Sequence, residues 1–303
     1  MGNDTAEANA KSWRRIWTFI VLVMVLTLLV SYILVTRSGI PGRLKPALIM
    51  WVPGVSALAV KLVFDRTVTG LGLSRSGGAW LLLALLLPLV YALPVYLPVW
   101  HFGLGGFNPG RWRSGLPYVG NAGGAGAALG LLIALGLPLG LVRALGEEIG
   151  WRGFLIPELL KHMSLAKAGV LSGLIWTTYH MPLIIFGSYN SGSHGGPPLA
   201  YQIGCFSVMV TSMAVFFAWV RVRSQSAWPC ALLHASHNLW IQAVFDRATV
   251  KGPSTAYVIG EFGFGLALTC LAVALGVLAI HREKSKADRA RPRPASLILG
   301  NNE

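Results

Sequence analysis

Charge is what this sequence has least of. Only 12% of its residues are Asp, Glu, Lys or Arg, against about 25% in an ordinary soluble domain. That deficit, with 54% hydrophobic residues, excludes a soluble enzyme and calls for lipid around the chain. Cysteine is scarce as well. Cys205, Cys230 and Cys270 form no CxxC pair, which excludes a disulfide framework and a thiolate metal site. The HExxH spacing of helical zinc peptidases is missing. So is any internal repeat, which counts against a transporter built from inverted halves.

The charge that remains is mostly positive, +14 net. It is not the footprint of a nucleic-acid binder. The cations sit in short loops and at the two ends, and no aromatic-plus-basic module of the single-strand type accompanies them. In a polytopic protein such charges set orientation.

Long apolar runs fill the rest, and a spanning helix needs about 20 mainly apolar residues. Eight spans are predicted, at 16–36, 46–64, 79–100, 124–148, 167–187, 198–220, 227–246 and 256–280. The fold class is therefore all-α, a polytopic integral membrane bundle of about eight transmembrane helices. Residues 1–15 read as an N-terminal segment, 16–281 as the membrane domain with a core at 124–246, and 282–303 as a basic, disordered tail. The run Ile16 to Val35 exceeds the usual 7–15 residues of a signal-peptide core, so it reads as an anchor that stays. Eight spans put both ends on one side. With the ends inside, 18 of the 25 Lys and Arg fall on inner segments and 7 on outer ones. That bias predicts a multi-pass protein of the cell membrane with both termini cytoplasmic. The segment Phe154 to Met163 has an amphipathic pattern and is expected along the inner surface.

Against this apolar background one run stands out, Gly146-Glu147-Glu148-Ile149-Gly150-Trp151-Arg152. Acids within a membrane are costly to keep and mark functional sites. Neighbours on a helix point about 100° apart, whereas residues four apart share a face. Glu148 and Arg152 are therefore expected to form an ion pair with a structural role, which leaves Glu147 as the free acid. Later spans add His180, preceded four residues earlier by Trp176, and His234 with Asn238 on one face. One carboxylate, two imidazoles and an amide suit amide hydrolysis. Glu147 with His180 would activate water. His234 and Asn238 would stabilise an oxyanion. A metal version uses Glu147, His180 and His234 as a two-histidine, one-carboxylate zinc site with an open position for water. The blander reading of Asn238 is interhelical hydrogen bonding. His237 reads as structural, and His194 as part of an exposed Gly/Ser/Pro turn.

The set EExxxR (Glu147, Glu148, Arg152), aromatic-xxx-His (Trp176, His180) and HxxxN (His234, Asn238) resembles the CPBP family. These are the CAAX-protease and bacteriocin-processing membrane proteases, also called Abi, related to the type II CAAX prenyl endopeptidases. The resemblance is close over about 147–240. It implies a helical membrane endopeptidase whose cavity opens to the cytoplasm and cuts near the cytoplasmic leaflet. It also implies Glu147 as base, His180 as its assistant, and His234 with Asn238 as the oxyanion site. The family commonly has phenylalanine where Trp176 stands. The partners implied are the lipid bilayer and a peptide or membrane-associated protein substrate. The rival reading is a non-catalytic scaffold or bacteriocin-immunity protein that binds a peptide in the same cavity.

Overall fold

The computed structural model describes residues 2–113, 119–120, 123–187, 189 and 196–290. Seven of its helices are long and apolar enough to cross a membrane: α1 (Ala6–Thr36), α2 (Lys45–Asp65), α3 (Gly78–His101), α4 (Ala125–Leu159), α5 (Leu165–Ile185), α6 (Leu199–Ser224) and, last in the chain, α8 (Phe264–Lys284). Between α6 and α8 runs α7, over 228–248. At 1.5 Å per residue α7 is about 31 Å long, enough to span. His234, Ser236, His237, Asn238 and Gln242 dilute its apolar run. The chain is an all-α polytopic membrane bundle, as its composition requires.

Short connections make successive helices antiparallel and give the bundle two ends. The terminal face holds the start of α1, the end of α8 and the connections 66–77, 160–164 and 225–227. The far face holds 37–44, 102–113, 119–120, 123–124, 186–187, 189, 196–198 and 249–263. A short antiparallel ribbon, Gly105–Phe107 against Thr249–Lys251, lies on the far face. Trp100 Nε1 ties it to α3 by donating to Thr249 Oγ1 at 2.9 Å.

Close backbone contact between α2 and α4 fixes the level of the two glutamates. A Cβ on Gly146 would stand 2.8 Å from the Met50 carbonyl oxygen, and one on Gly150 would stand 2.5 Å from Pro53 Cβ. Small residues at a lipid-embedded seam allow this approach, because dispersion between backbones replaces the hydrophobic drive that lipid removes.

Two expectations about the ends are corrected, and the first fifteen residues are helical from Gly2 onward. Ser12 Oγ donates to Glu158 at 2.8 Å, and Arg15 bridges Asp65 at 2.8 Å and Glu158 at 3.0 Å. The tail is helical as far as Ala290, because Arg, Glu, Lys and Ala favour helix once the chain leaves the apolar run; residues from 291 onward lie outside the described residues. The segment Phe154 to Met163 does not lie along the surface. Phe154, Leu155, Ile156 and Leu159 are buried, because α4 continues to Leu159 and packs them under α1. His194 also lies outside the described residues.

Candidate active site

Three helices bring the expected residues to one cavity of about 750 Å³, whose walls include Glu147 (α4), Trp176 and His180 (α5), and His234 and Asn238 (α7). The cavity is directional. Glu147 and His234 are buried at 2% and 6% exposure. Asn238, one turn further along α7, is half-buried, and Gln242, one turn beyond, is exposed. Leu34, Lys45, Tyr189, Arg247 and Glu261 complete the wall towards the far face. On the other side of Glu147 the bundle is closed by Trp151, Arg152 and Phe154, exposed by 2% or less. The cavity is thus a pit that opens on the face opposite the termini.

Glu147 is held by two tryptophans. Trp176 Nε1 donates to its Oε2 at 2.6 Å and Trp151 Nε1 to the same oxygen at 3.2 Å. Trp151 lies four residues on in the same helix, so the spacing that pairs Glu148 with Arg152 also pairs Glu147 with Trp151. Both bonds fall on Oε2, which leaves Oε1 for the cavity. Trp176 is therefore more than a bulky stand-in for phenylalanine, because a phenyl ring has no N–H to give this carboxylate.

Glu148 pairs with Arg152 at 3.0 Å, both side chains fully buried, as their spacing predicted. The guanidinium also lies 4.2 Å over the Trp176 ring and 4.5 Å over Phe217. The sequence did not show that the same Glu148 oxygen holds His234 Nδ1 at 2.9 Å. Glu147 is the cavity acid, and Glu148 orients the imidazole of α7. With Nδ1 donating to Glu148, Nε2 of His234 is left for the cavity.

His180 faces the same cavity without a hydrogen bond to Glu147. Its Nδ1 donates to the Trp176 carbonyl at 2.9 Å, which again leaves Nε2. Tyr189 stacks on it with ring centroids 5.7 Å apart. Asn238 stands one turn above His234, where the backbone of α7 widens to π-helical spacing over Asn238–Phe245. A second π-helical stretch, Ile149–Leu155, follows Glu148 directly. Such widened turns cluster at functional sites because they re-aim side chains out of the α-helical register.

The residues do not fit a preformed metal site. Among the described residues no group of three His, Cys, Asp or Glu side chains converges on one point. The inner oxygen of Glu147 is already met by two indole N–H groups.

One polar cluster went unread in the sequence. Glu261, in the connection between α7 and α8, faces the cavity and accepts from Tyr189 Oη at 2.9 Å, Gln242 Nε2 at 3.0 Å and His237 Nε2 at 3.1 Å. Tyr91 meets the other ring nitrogen of His237 at 2.7 Å, so both ring nitrogens of His237 are engaged within the protein. Burial pushes the Glu261 carboxyl up, but donation from His237 and that ring's charge, then Gln242 and Tyr189, outweigh it and hold it down at about 2. Its ordinary value is 4.5. A depressed carboxyl contributes stability that is complete above the unfolded value and lost as pH falls through the folded one. The advantage in unfolding temperature of the wild type over Glu261→Gln is therefore expected to be level at neutral pH and to shrink between about pH 4.5 and pH 2. A pH-independent difference would show that the carboxylate contributes through shape alone.

Fold and site together define a polytopic membrane protein with an acid–imidazole cavity inside its helical bundle. Residues 128–240 match the family model of type II CAAX prenyl endopeptidases, Rce1-like. That stretch carries every motif residue from Glu147 to Asn238. The chain is also 27% identical over 93 residues to the CAAX prenyl protease 2 of Methanococcus maripaludis, covering 31% of this chain and 34% of that protein. The similarity thus spans about a third of the relative's length. The segment that builds the cavity is thus similar to the CAAX-protease (CPBP) family.

Proposed function

We propose that the chain is an intramembrane endopeptidase. Water reaches Glu147 through the cavity, and Oε1 takes its proton as the oxygen attacks a peptide carbonyl. His180 borders the same space with Nε2 free and steadies that water. His234 and Asn238 donate to the developing oxyanion. Glu148 supplies the counter-charge for a His234 imidazolium, whose Nε2–H then makes that bond. Glu147 returns the proton to the leaving amine. The observation that carries this reading is the buried Glu147 at the base of a polar pit, with both tryptophan bonds on one oxygen. The substrate is a peptide or membrane-associated protein.

Two observations support a side of attack. The Lys and Arg bias favours cytoplasmic termini, and the pit opens on the opposite face. Cleavage near the cytoplasmic leaflet and cytoplasmic termini cannot both hold. We read the termini as cytoplasmic and the reaction as approached from the outer leaflet of the cell membrane; the family resemblance implies the opposite side.

The test is substrate trapping in vesicles of known orientation. Glu147→Gln protein is expected to retain peptides offered from the face away from the termini, and the wild type to cleave those same peptides. Cleavage is expected to survive removal of divalent metals by chelation, checked by elemental analysis. Peptides retained by both forms and cut by neither point to the scaffold reading, and retention from the terminal side alone reverses the orientation.

A further inference from the structure

His180 is held by rings more than by hydrogen bonds. Glu147 has two indole donors and His234 has a carboxylate. His180 bonds only to its own helix among the described residues, from Nδ1 to the Trp176 carbonyl. Tyr179 and Phe206 meet its ring edge-on, with centroids 4.8 Å and 5.2 Å away. Tyr189 covers its face at 5.7 Å, with 29° between the planes. Tyr179 and Phe206 belong to the long helices α5 and α6, whose backbone fixes them. Tyr189 has no such support. It follows the end of α5 at Ile185, and its backbone N–H reaches the Leu183 carbonyl only at 3.4 Å. What fixes the ring is its far end, where Oη donates to Glu261 at 2.9 Å.

Glu261 is a firm anchor although it lies in a connection. Gly260 before it has φ +75°, a conformation that glycine adopts without penalty. The Gly260 N–H donates to Tyr96 Oη at 3.2 Å, and that hydroxyl donates to Asp246 at 2.6 Å. The turn is thereby pinned to α3 and α7 just where Glu261 leaves it. Gln242 and His237 then hold the carboxylate from α7. A phenol that donates to a carboxylate makes a charge-assisted bond, about twice as strong as a neutral one. A phenylalanine at 189 would stack on His180 too, so the hydroxyl and the acid add direction rather than contact.

We infer that Tyr189 is the positioning residue of His180, and that Glu261 acts on His180 through it. The inference rests on the reading of His180 as the group that steadies the attacking water. Staggered side-chain rotamers lie about 120° apart, so a change of rotamer carries Nε2 several ångströms from its place. The Tyr189 ring fills the space that such a swing needs. It does so without consuming a nitrogen. A hydrogen-bonding partner on the open side would occupy Nε2, whereas an aromatic face confines the ring and leaves Nε2 for water. The sequence marks this device only as a tyrosine and an acid 72 residues apart.

The test is nuclear magnetic resonance of the full chain in lipid bilayers, with isotope-labelled histidine and the His180 signal assigned by its loss in His180→Gln. In the wild type that signal is expected to be single and displaced upfield by the ring above it. Tyr189→Leu is expected to remove most of the displacement and to split or broaden the signal, while His162 and His281 stay put and the unfolding temperature holds. Tyr189→Phe keeps the ring and drops the bond, and is expected to fall between. Adding Glu261→Gln to Tyr189→Phe is expected to change the His180 signal no further, because both cut one link. For any peptide the wild type cuts, Tyr189→Leu is expected to lower kcat by about 10²-fold, the effect of a small misplacement, with KM little changed. A His180 signal unmoved by Tyr189→Leu, a Tyr189→Phe signal identical to wild type, or wild-type kcat in Tyr189→Leu would overturn the inference. So would movement of every histidine together, which marks general loosening. Wild-type protein that cuts no peptide sinks the hydrolase reading alone, since the His180 signal still decides what holds that ring.

Discussion

Glu147→Gln is expected to reduce peptide hydrolysis by about 10²–10⁴-fold, the usual contribution of a positioned acid–base group, while folded yield and unfolding temperature stay close to wild type. The argument for separating the two effects is geometric. Both protein bonds to this side chain arrive on Oε2, from Trp176 and Trp151. A glutamine places its amide oxygen there and accepts both. What it loses is the capacity to take a proton at the oxygen that faces the cavity. Turnover and thermal unfolding measured on the same reconstituted sample decide the matter. Undiminished turnover removes Glu147 from the role of base. Inactive protein that is also unfolded would mean that the acid serves the bundle first.

Arg152→Ala carries the opposite expectation, a loss of about 3–5 kcal/mol of stability, the cost of breaking a buried pair by removing one partner. The guanidinium is fully buried, pairs with Glu148 and lies over Trp176 and Phe217. Arg221 Nε donates to its backbone carbonyl at 3.0 Å, so the same residue also ties α4 to α6. Truncation leaves the Glu148 carboxylate inside the bundle with His234 alone. Replacing both charges, as in Glu148→Gln with Arg152→Met, is expected to recover much of the folded yield without recovering activity, because His234 then has no carboxylate to orient it. Folded yield in detergent separates the single from the double variant. A well-folded, inactive Arg152→Ala protein would move Arg152 from support to chemistry.

The sequence was legible where helix periodicity alone decides geometry. The Glu148–Arg152 pair, the divergence of Glu147 from Glu148, and the shared cavity of Glu147, His180, His234 and Asn238 all follow from i, i+4 spacing and from polar residues in apolar runs. It was illegible where partners come from different helices. Spacing along α4 cannot say which glutamate meets His234, because that depends on the height at which Gly146 and Gly150 seat α4 against α2. The π-helical stretches after Glu148 and from Asn238 shift the register in a way no local pattern announces. Glu261 fell within the predicted span 256–280 and was passed over; its partners are Tyr189 and, far along the chain, His237 and Gln242 of α7, and no local pattern links them. Arg143 was assigned to the inner end, whereas its Nη2 donates to the Arg43 carbonyl on the far face at 3.1 Å; a charge in an apolar run reveals nothing about which way its long side chain reaches.

The closed base of the pit sets a rule for traffic. Trp151, Arg152 and Phe154 block passage beyond Glu147, so a polypeptide has no through-route and cannot be threaded. On the endopeptidase reading proposed above, a substrate must dip in as a loop or present an end, both fragments must back out by the way the intact chain came, and a fragment that lingers in the doorway would act as an inhibitor.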